Sequence, residues 1–147
     1  MQISMKCSVA VHCLVFIHEA KGEVKVTSNL LAQSTGCNPV AIRNVLSALK
    51  KAGIISVARG TGGAELIKAP SDITLYMVYH ALEPDGLSSL IGIHRCEGRS
   101  CPVAQNIRAV LDKPYRKIEN AVRKAMEDIT LDSIIDDYHA ELAKSGR

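Results

Sequence analysis

"IISVARGTGGAELIKAP", residues 54–70, sets a glycine-rich loop between two short apolar runs and closes with a proline. Such a loop either cradles a nucleotide phosphate or turns a hairpin. Phosphate-cradling loops run from a strand into the N-terminus of a helix, so that backbone donors and the helix dipole face the anion. Here the β-branched run "IISVA" precedes the glycines, "AELIK" follows them, and no helical pattern resumes until after Pro70. "GTGG" also lacks the Lys-Ser/Thr ending of a P-loop. The stretch reads as an antiparallel hairpin, with Arg59 at the lip of its turn.

Upstream, the periodicity turns helical. Residues 3–20 place Ile3, Cys7, Ala10, Leu14 and Ile17 on one face. "KGEV" breaks that helix. "SNLLAQST" makes a second, with Thr27 or Ser28 as N-cap and Gly36 at its end. Asn38 caps a third helix that has Pro39 in its first position, where the missing N–H costs nothing. It runs through "VAIRNVLSALKKA" to Gly53 and is expected to bury Val40 or Ala41, Val45, Leu46 and Leu49. The order helix, helix–turn–helix, hairpin is that of a winged helix–turn–helix. The fold class is therefore mainly α with a small β-hairpin, extended by C-terminal helices.

Downstream, "LYMVYHAL" is a short helix capped by Thr74 or Asp72, and residues 84–101 are irregular. A long helix follows from Pro102 to about residue 129, and Thr130 caps a last one, "LDSIIDDYHAELAK". This divides the chain into a DNA-binding unit (1–83), a cysteine-containing loop (84–101) and dimerisation helices (102–147).

At 147 residues with 47% apolar content, one domain plus a helical layer can bury a sizeable core, and 3% aromatics make that core aliphatic. The net charge of +3 suits a nucleic-acid partner without demanding one. No apolar run approaches a membrane span; "CLVFI" is too short for a signal-peptide core, so a cytoplasmic protein with no membrane partner is expected. Five cysteines argue against a secreted disulfide framework.

The third helix carries the chemistry of base reading. Its outer face offers Asn38, Arg43, Asn44, Ser47, Lys50 and Lys51. Arg and Asn pair bidentately with guanine and adenine edges in the major groove, whereas the lysines suit phosphates. An ordinary solvated helix face is the plainer alternative, weakened by the hairpin that follows. Arg59, with Gly60 and Thr61 in the wing tip, suits a narrow minor groove, where the potential is most negative. Ser28, at the start of the second helix, completes the candidate DNA-binding set.

"LLAQSTGCNPVAIRNVLSALKKAGIISVARGTGGAELIKAPSDITL", residues 30–75, resembles the winged helix of the bacterial Rrf-two regulators, the family of IscR, NsrR and CymR. The most specific matches are Leu46, Leu49, Lys51-Ala52-Gly53, Ile55, Arg59-Gly60, Gly62-Gly63, Leu66, Pro70 and Ile73-Thr74-Leu75. The resemblance covers nearly the whole chain. It implies a homodimeric transcriptional regulator, usually a repressor, on a roughly palindromic double-stranded operator. Residues 38–44 would then read bases and Arg59 would probe the minor groove. Ala64 stands where the family often has an aromatic residue, and Arg43 where iron–sulfur members often have an acidic one, so a different operator is expected.

"IHRCEGRSCPVAQNI" sits where many members hold an iron–sulfur cluster on three cysteines and a further ligand. Here Cys96 and Cys101 are two, with four residues between them; Ala104, one turn on, cannot ligate, and His94 is the nearest substitute. A cluster or zinc would need a fourth ligand from elsewhere, so no cofactor is expected. A thiol switch is the alternative: Arg95 and Arg99 flank Cys96, Cys101 precedes a helix start, and both settings favour thiolate. Inert cysteines remain an equal alternative. Cys7 and Cys13 are expected in the core, and Cys37 more exposed.

Ala104, Ile107, Leu111, Tyr115, Ile118, Val122, Ala125 and Ile129 follow three- and four-residue steps close to a heptad seam. A symmetric partner helix would cover the stripe, making Ile107, Leu111, Ile118 and Val122 the dimer interface; packing onto its own domain is the alternative. Pro114 is expected to kink or split this helix near Asp112. An enzyme, such as a thiol oxidoreductase, is the other class. The chain lacks CxxC, a Gly-x-Ser-x-Gly elbow and a paired-carboxylate scaffold, so none is expected.

Overall fold

The structure, a computed structural model, describes residues 4–60, 63–98 and 100–146. Six helices and one hairpin follow the order α1 (Met5–Ala20), α2 (Ser28–Thr35), α3 (Pro39–Lys51), β1 (Ile55–Val57), β2 (Ala64–Leu66), α4 (Leu75–Leu82), α5 (Pro102–Glu127) and α6 (Leu131–Lys144). Short 3-10 turns occupy Pro70–Asp72 and Leu87–Ser89. The mainly helical class with one small hairpin is as expected, and the cysteine-bearing stretch is irregular. Among the described residues, no helix is long and apolar enough to cross a membrane.

α1 is the central helix, touching α2, α3, α4, β2 and α6. Cys7, Ala10, Cys13, Leu14 and Ile17 are buried along it, a three- and four-residue spacing that makes one continuous stripe. Leu14 and Ile17 each contribute about 1.5–3 kcal/mol by leaving water. Both cysteines are core residues, as expected. Burial pushes the Cys13 thiol up to about 11, with nearby Cys37 adding to the shift, and burial raises Cys7 as well. Ile3 lies outside the described residues.

Each start signal is satisfied. Thr27 Oγ1 accepts from Leu30 N at 3.2 Å, Asn38 Oδ1 from Val40 N at 2.8 Å, Thr74 Oγ1 from Met77 N at 3.1 Å and Thr130 Oγ1 from Ser133 N at 3.2 Å. Thr27, not Ser28, therefore caps α2, and Thr74, not Asp72, caps α4. α2 ends on Gly36 at φ 72°, a left-handed conformation that glycine adopts without strain and that turns the chain tightly into α3. α3 buries Ile42, Val45, Leu46 and Leu49. The expected first member of that stripe, Val40 or Ala41, is exposed instead, because steps of 3, 4 and 7 counted from Ile42 define the inward face.

The hairpin pairs Ile55 with Leu66, Ser56 with Glu65 and Val57 with Ala64. Its return strand docks on the segment leading into α2: Ala64 N donates to Val26 O at 2.9 Å. A Cβ on Gly63 would stand 2.6 Å from Val26 N, so this glycine is required by the close approach of two backbones. α6 closes the same core with Leu131 and Ile135. Between α4 and α6, Leu75 N donates to Ile129 O and Leu131 N to Ile73 O, both at 2.8 Å, around a bridge of Thr74 to Thr130.

α5 behaves differently. It is one helix of 26 residues, about 39 Å long at 1.5 Å per residue. Pro114 does not split it. The carbonyl that loses its donor belongs to Val110, which lies on an exposed stretch, and the Arg116–Asp112 ion pair at 2.9 Å spans the proline. Only Met126 is buried along α5, one position after the expected Ala125, which is exposed.

Candidate nucleic-acid interface

α2, α3 and the hairpin together wall a concavity of about 490 Å³. Ser28 from the first turn of α2, Arg43, Ser47 and Lys50 from α3, and Gly60 from the wing all line it. Arg43, Ser47 and Lys50 are separated by four and three residues, so they share one face of α3, beside the stripe that holds the helix to the core. With Thr27 engaged as the cap, Ser28 sits among the first free backbone donors of α2, where an anion is favoured.

Asn38, Asn44, Lys51 and Arg59 are exposed beside this concavity but do not line it. Asn38 has a structural duty, since its Oδ1 caps α3 and only its amide donors remain for a ligand. Thr61 lies outside the described residues.

The electrostatics are one-sided. Among the described residues, no aspartate or glutamate lines the concavity. Among the described residues, Arg43, Lys50, Lys51 and Arg59 form no ion pair within the chain. Cations left uncompensated on one face form the footprint that a polyanion requires.

Two residues are absent from the sequence-derived set. Lys25 lines the concavity, and its Nζ donates to Gly60 O at 2.8 Å, tying the wing tip to the strand that enters α2. Its contact spans 35 residues of chain, so no local pattern announces it. Val40, 54% exposed, stands on the outward side of α3, where a wrong phase for the helix had turned it inward.

The loop cysteines are both exposed and unbridged. Cys96 Sγ and His94 Nε2 lie 3.2 Å apart. Cys101 takes the N-cap position of α5 without a side-chain capping bond. Arg99 lies outside the described residues. Among the described residues, no group of three or more His, Cys, Asp or Glu side chains could hold a metal ion. Two thiols and one imidazole fall short of the four protein ligands that an iron–sulfur cluster takes. The residues of a single chain do not fit that group.

On α5, Ile107, Leu111 and Val122 are half-buried against the same chain, and Val122 packs on the edge of the core. Ile118 is 42% exposed, in company with Val103 and Val110 at 67% and 62%. The four expected interface residues share one stripe of α5, which the chain itself half-covers at Ile107, Leu111 and Val122 and leaves open at Ile118.

Residues 3–137 match the Rrf2 family model, described as an iron-dependent transcriptional regulator. YwnA of Bacillus subtilis (strain 168), named as an HTH-type transcriptional regulator, is 32% identical over 133 residues, covering 90% of this chain and 96% of its own. The crystal structure of a transcriptional regulator from Lactobacillus plantarum superposes with a TM-score of 0.76 at 28% identity, covering 97% of this chain and 99% of that one. The oxidised form of CymR from Staphylococcus aureus shares the fold, with a TM-score of 0.66 at 18% identity over 92% of this chain and 96% of that one. A winged helix with an acid-free basic concavity and a match over nearly its full length lead to one conclusion: the chain belongs to the Rrf2 family of DNA-binding transcriptional regulators, which are not enzymes.

Proposed function

We propose that the protein is a homodimer that grips a palindromic double-stranded operator and represses transcription where that operator overlaps a promoter. The observation that carries this is the concavity where α2, α3 and the wing converge with cations and no acid. α3 enters the major groove with Arg43 and Asn44 on base edges, and Val40 suits contact with a thymine methyl. Ser28, Ser47, Lys50 and Lys51 position the backbone phosphates. Arg59 reaches the minor groove beside each half-site, supported by the Lys25 tie to Gly60.

In this reading, residues 1–83 bind DNA, with α6 completing their core, residues 84–101 sense, and α5 pairs across a two-fold axis. Protein from which iron has been excluded binds fluorescent DNA taken from around its own gene, with affinity falling by a log–log slope of about −0.9 per phosphate neutralised. Binding that ignores salt, or a monomer that binds at full affinity, would sink this reading.

The signal proposed is thiol oxidation without a cluster, favoured by two exposed thiols in the loop that feeds α5. A peroxide takes two electrons and two protons from Cys96 and Cys101 and leaves as water, and a disulfide restrains the loop. Because α5 sets the spacing of the two recognition helices, that restraint changes affinity for a palindrome. Cys96→Ser and Cys101→Ser each abolish the response to mild oxidant. Anaerobically purified protein that carries iron and sulfide would replace this with a cluster completed by the partner.

A further inference from the structure

Between α1, α2 and α6 lies an open groove of about 860 Å³. Val15 and Phe16 of α1, Leu30 of α2 and Ile134 of α6 make it largely apolar. Phe16 is the chain's one phenylalanine, and it is only half-buried at the edge of the core. Polar groups flank the groove. His12 Nε2 meets Ser34 Oγ at 2.9 Å, and His139 Nε2 meets Glu19 Oε1 at 2.8 Å. A carboxylate only accepts, so His139 is the donor and Glu19 Oε2 is left without a partner among the described residues.

Size decides the kind of occupant. The volume falls within the roughly 300–1,000 Å³ of small-molecule sites. Ten described residues wall the groove, well short of the roughly 20–30 per side that a stable protein interface uses. Charge decides the class. Among the described residues, the wall holds one carboxylate, that of Glu19, and no lysine or arginine. It also holds two aromatic rings, Phe16 and Tyr138, whose π-faces attract positive charge.

We infer that this groove binds a lipophilic organic cation, its apolar body against Phe16 and Leu30 and its charge toward Glu19. Such a ligand touches both α2, the first helix of the helix–turn–helix, and α6, which closes the core from the other end of the chain. Any preference for one arrangement of these helices would then be felt reciprocally at the DNA-binding face. The site itself stands independently of how DNA is read.

Tetraphenylphosphonium and tetraphenylborate share a shape and differ in the sign of their charge. Calorimetric titration of the full chain should show saturable binding of the phosphonium, one per chain, and at least tenfold weaker binding of the borate. Glu19→Gln keeps an acceptor for His139 while removing the charge, and should lower phosphonium affinity about tenfold. Ile134→Trp, which fills the groove, should abolish binding while circular dichroism shows the helices intact. Equal affinity for both ions, phosphonium binding indifferent to both variants, or no saturable binding would overturn the inference.

Discussion

The winged unit buries its side chains within one chain, whereas α5 leaves most of its apolar side chains on the surface. The buried hydrophobic residues come from positions 7–79 except for Leu87, Met126, Leu131 and Ile135. α5 is the longest helix described, yet it contributes Met126 alone, while Val103, Val110 and Ile118 are exposed. α3 and α5 carry amphipathic patterns of similar quality. The difference lies in what each pattern is for: α1 and α3 find their cover inside the chain, and α5 presents a stripe that needs cover from outside it.

That contrast can be broken at several points. The largest effect belongs to the self-covered unit. Leu49→Ala opens a cavity at a fully buried position and should cost about 2–5 kcal/mol in urea unfolding. A loss under 1 kcal/mol would mean that this core is looser than its burial indicates.

Next comes α5, where two charges should behave differently. Ile118→Glu, exposed and repeated on each protomer of a symmetric pair, should weaken dimerisation by roughly 2–4 kcal/mol in sedimentation equilibrium while the helical signal persists. Val122→Glu should instead lower the unfolding midpoint, because that side chain packs on its own core. Identical behaviour of the two variants would erase the distinction between the covered and the open part of the α5 stripe.

The basic face sharpens the comparison further. Arg43→Ala should cost about 1–3 kcal/mol and relax the preference at one base position of each half-site. Lys51→Ala should weaken binding to all sequences alike and flatten the salt slope by about one. Matching specificity profiles for the two variants would remove the distinction between reading and positioning. The smallest effect is at the wing. Arg59→Ala should lose about 1 kcal/mol, the scale of one exposed charge contact, and lose it most where an A-tract narrows the flanking minor groove. An equal loss on GC-rich flanks would make Arg59 a phosphate anchor.

Local signals in this chain were legible because their physics is local. Thr27, Asn38, Thr74 and Thr130 cap helices with a side chain two or three residues from its partner, and Gly36 stops α2 by its own backbone preference. Phase was less legible. A face beginning at Val40 and one beginning at Ile42 differ by two residues in a stretch where Val40, Ala41 and Ile42 are all apolar, and only packing against α1 and α4 chooses between them. Pro114 misled for a related reason: the bond it deletes falls on a solvated side of α5, where the loss is small. Long-range features left no local trace. Gly63 is a glycine because of Val26, Lys25 is placed by Gly60, and the groove beside Phe16 is closed on α1 and α2 by α6 from the other end of the chain.

The Thr74–Thr130 bridge bears on how the chain comes off the ribosome. Fifty-six residues separate its two halves, and its partner strand lies just before the last helix. At synthesis rates of 5–20 residues per second, Ile73 and Leu75 wait roughly 3–11 s for their backbone partners at Leu131 and Ile129. Until then the nascent winged unit exposes the apolar ground that Leu131 and Ile135 later cover. A DNA-reading head that begins folding early is completed only when α6 has been translated, so a transcript cut short before α6 yields a head without its final closure.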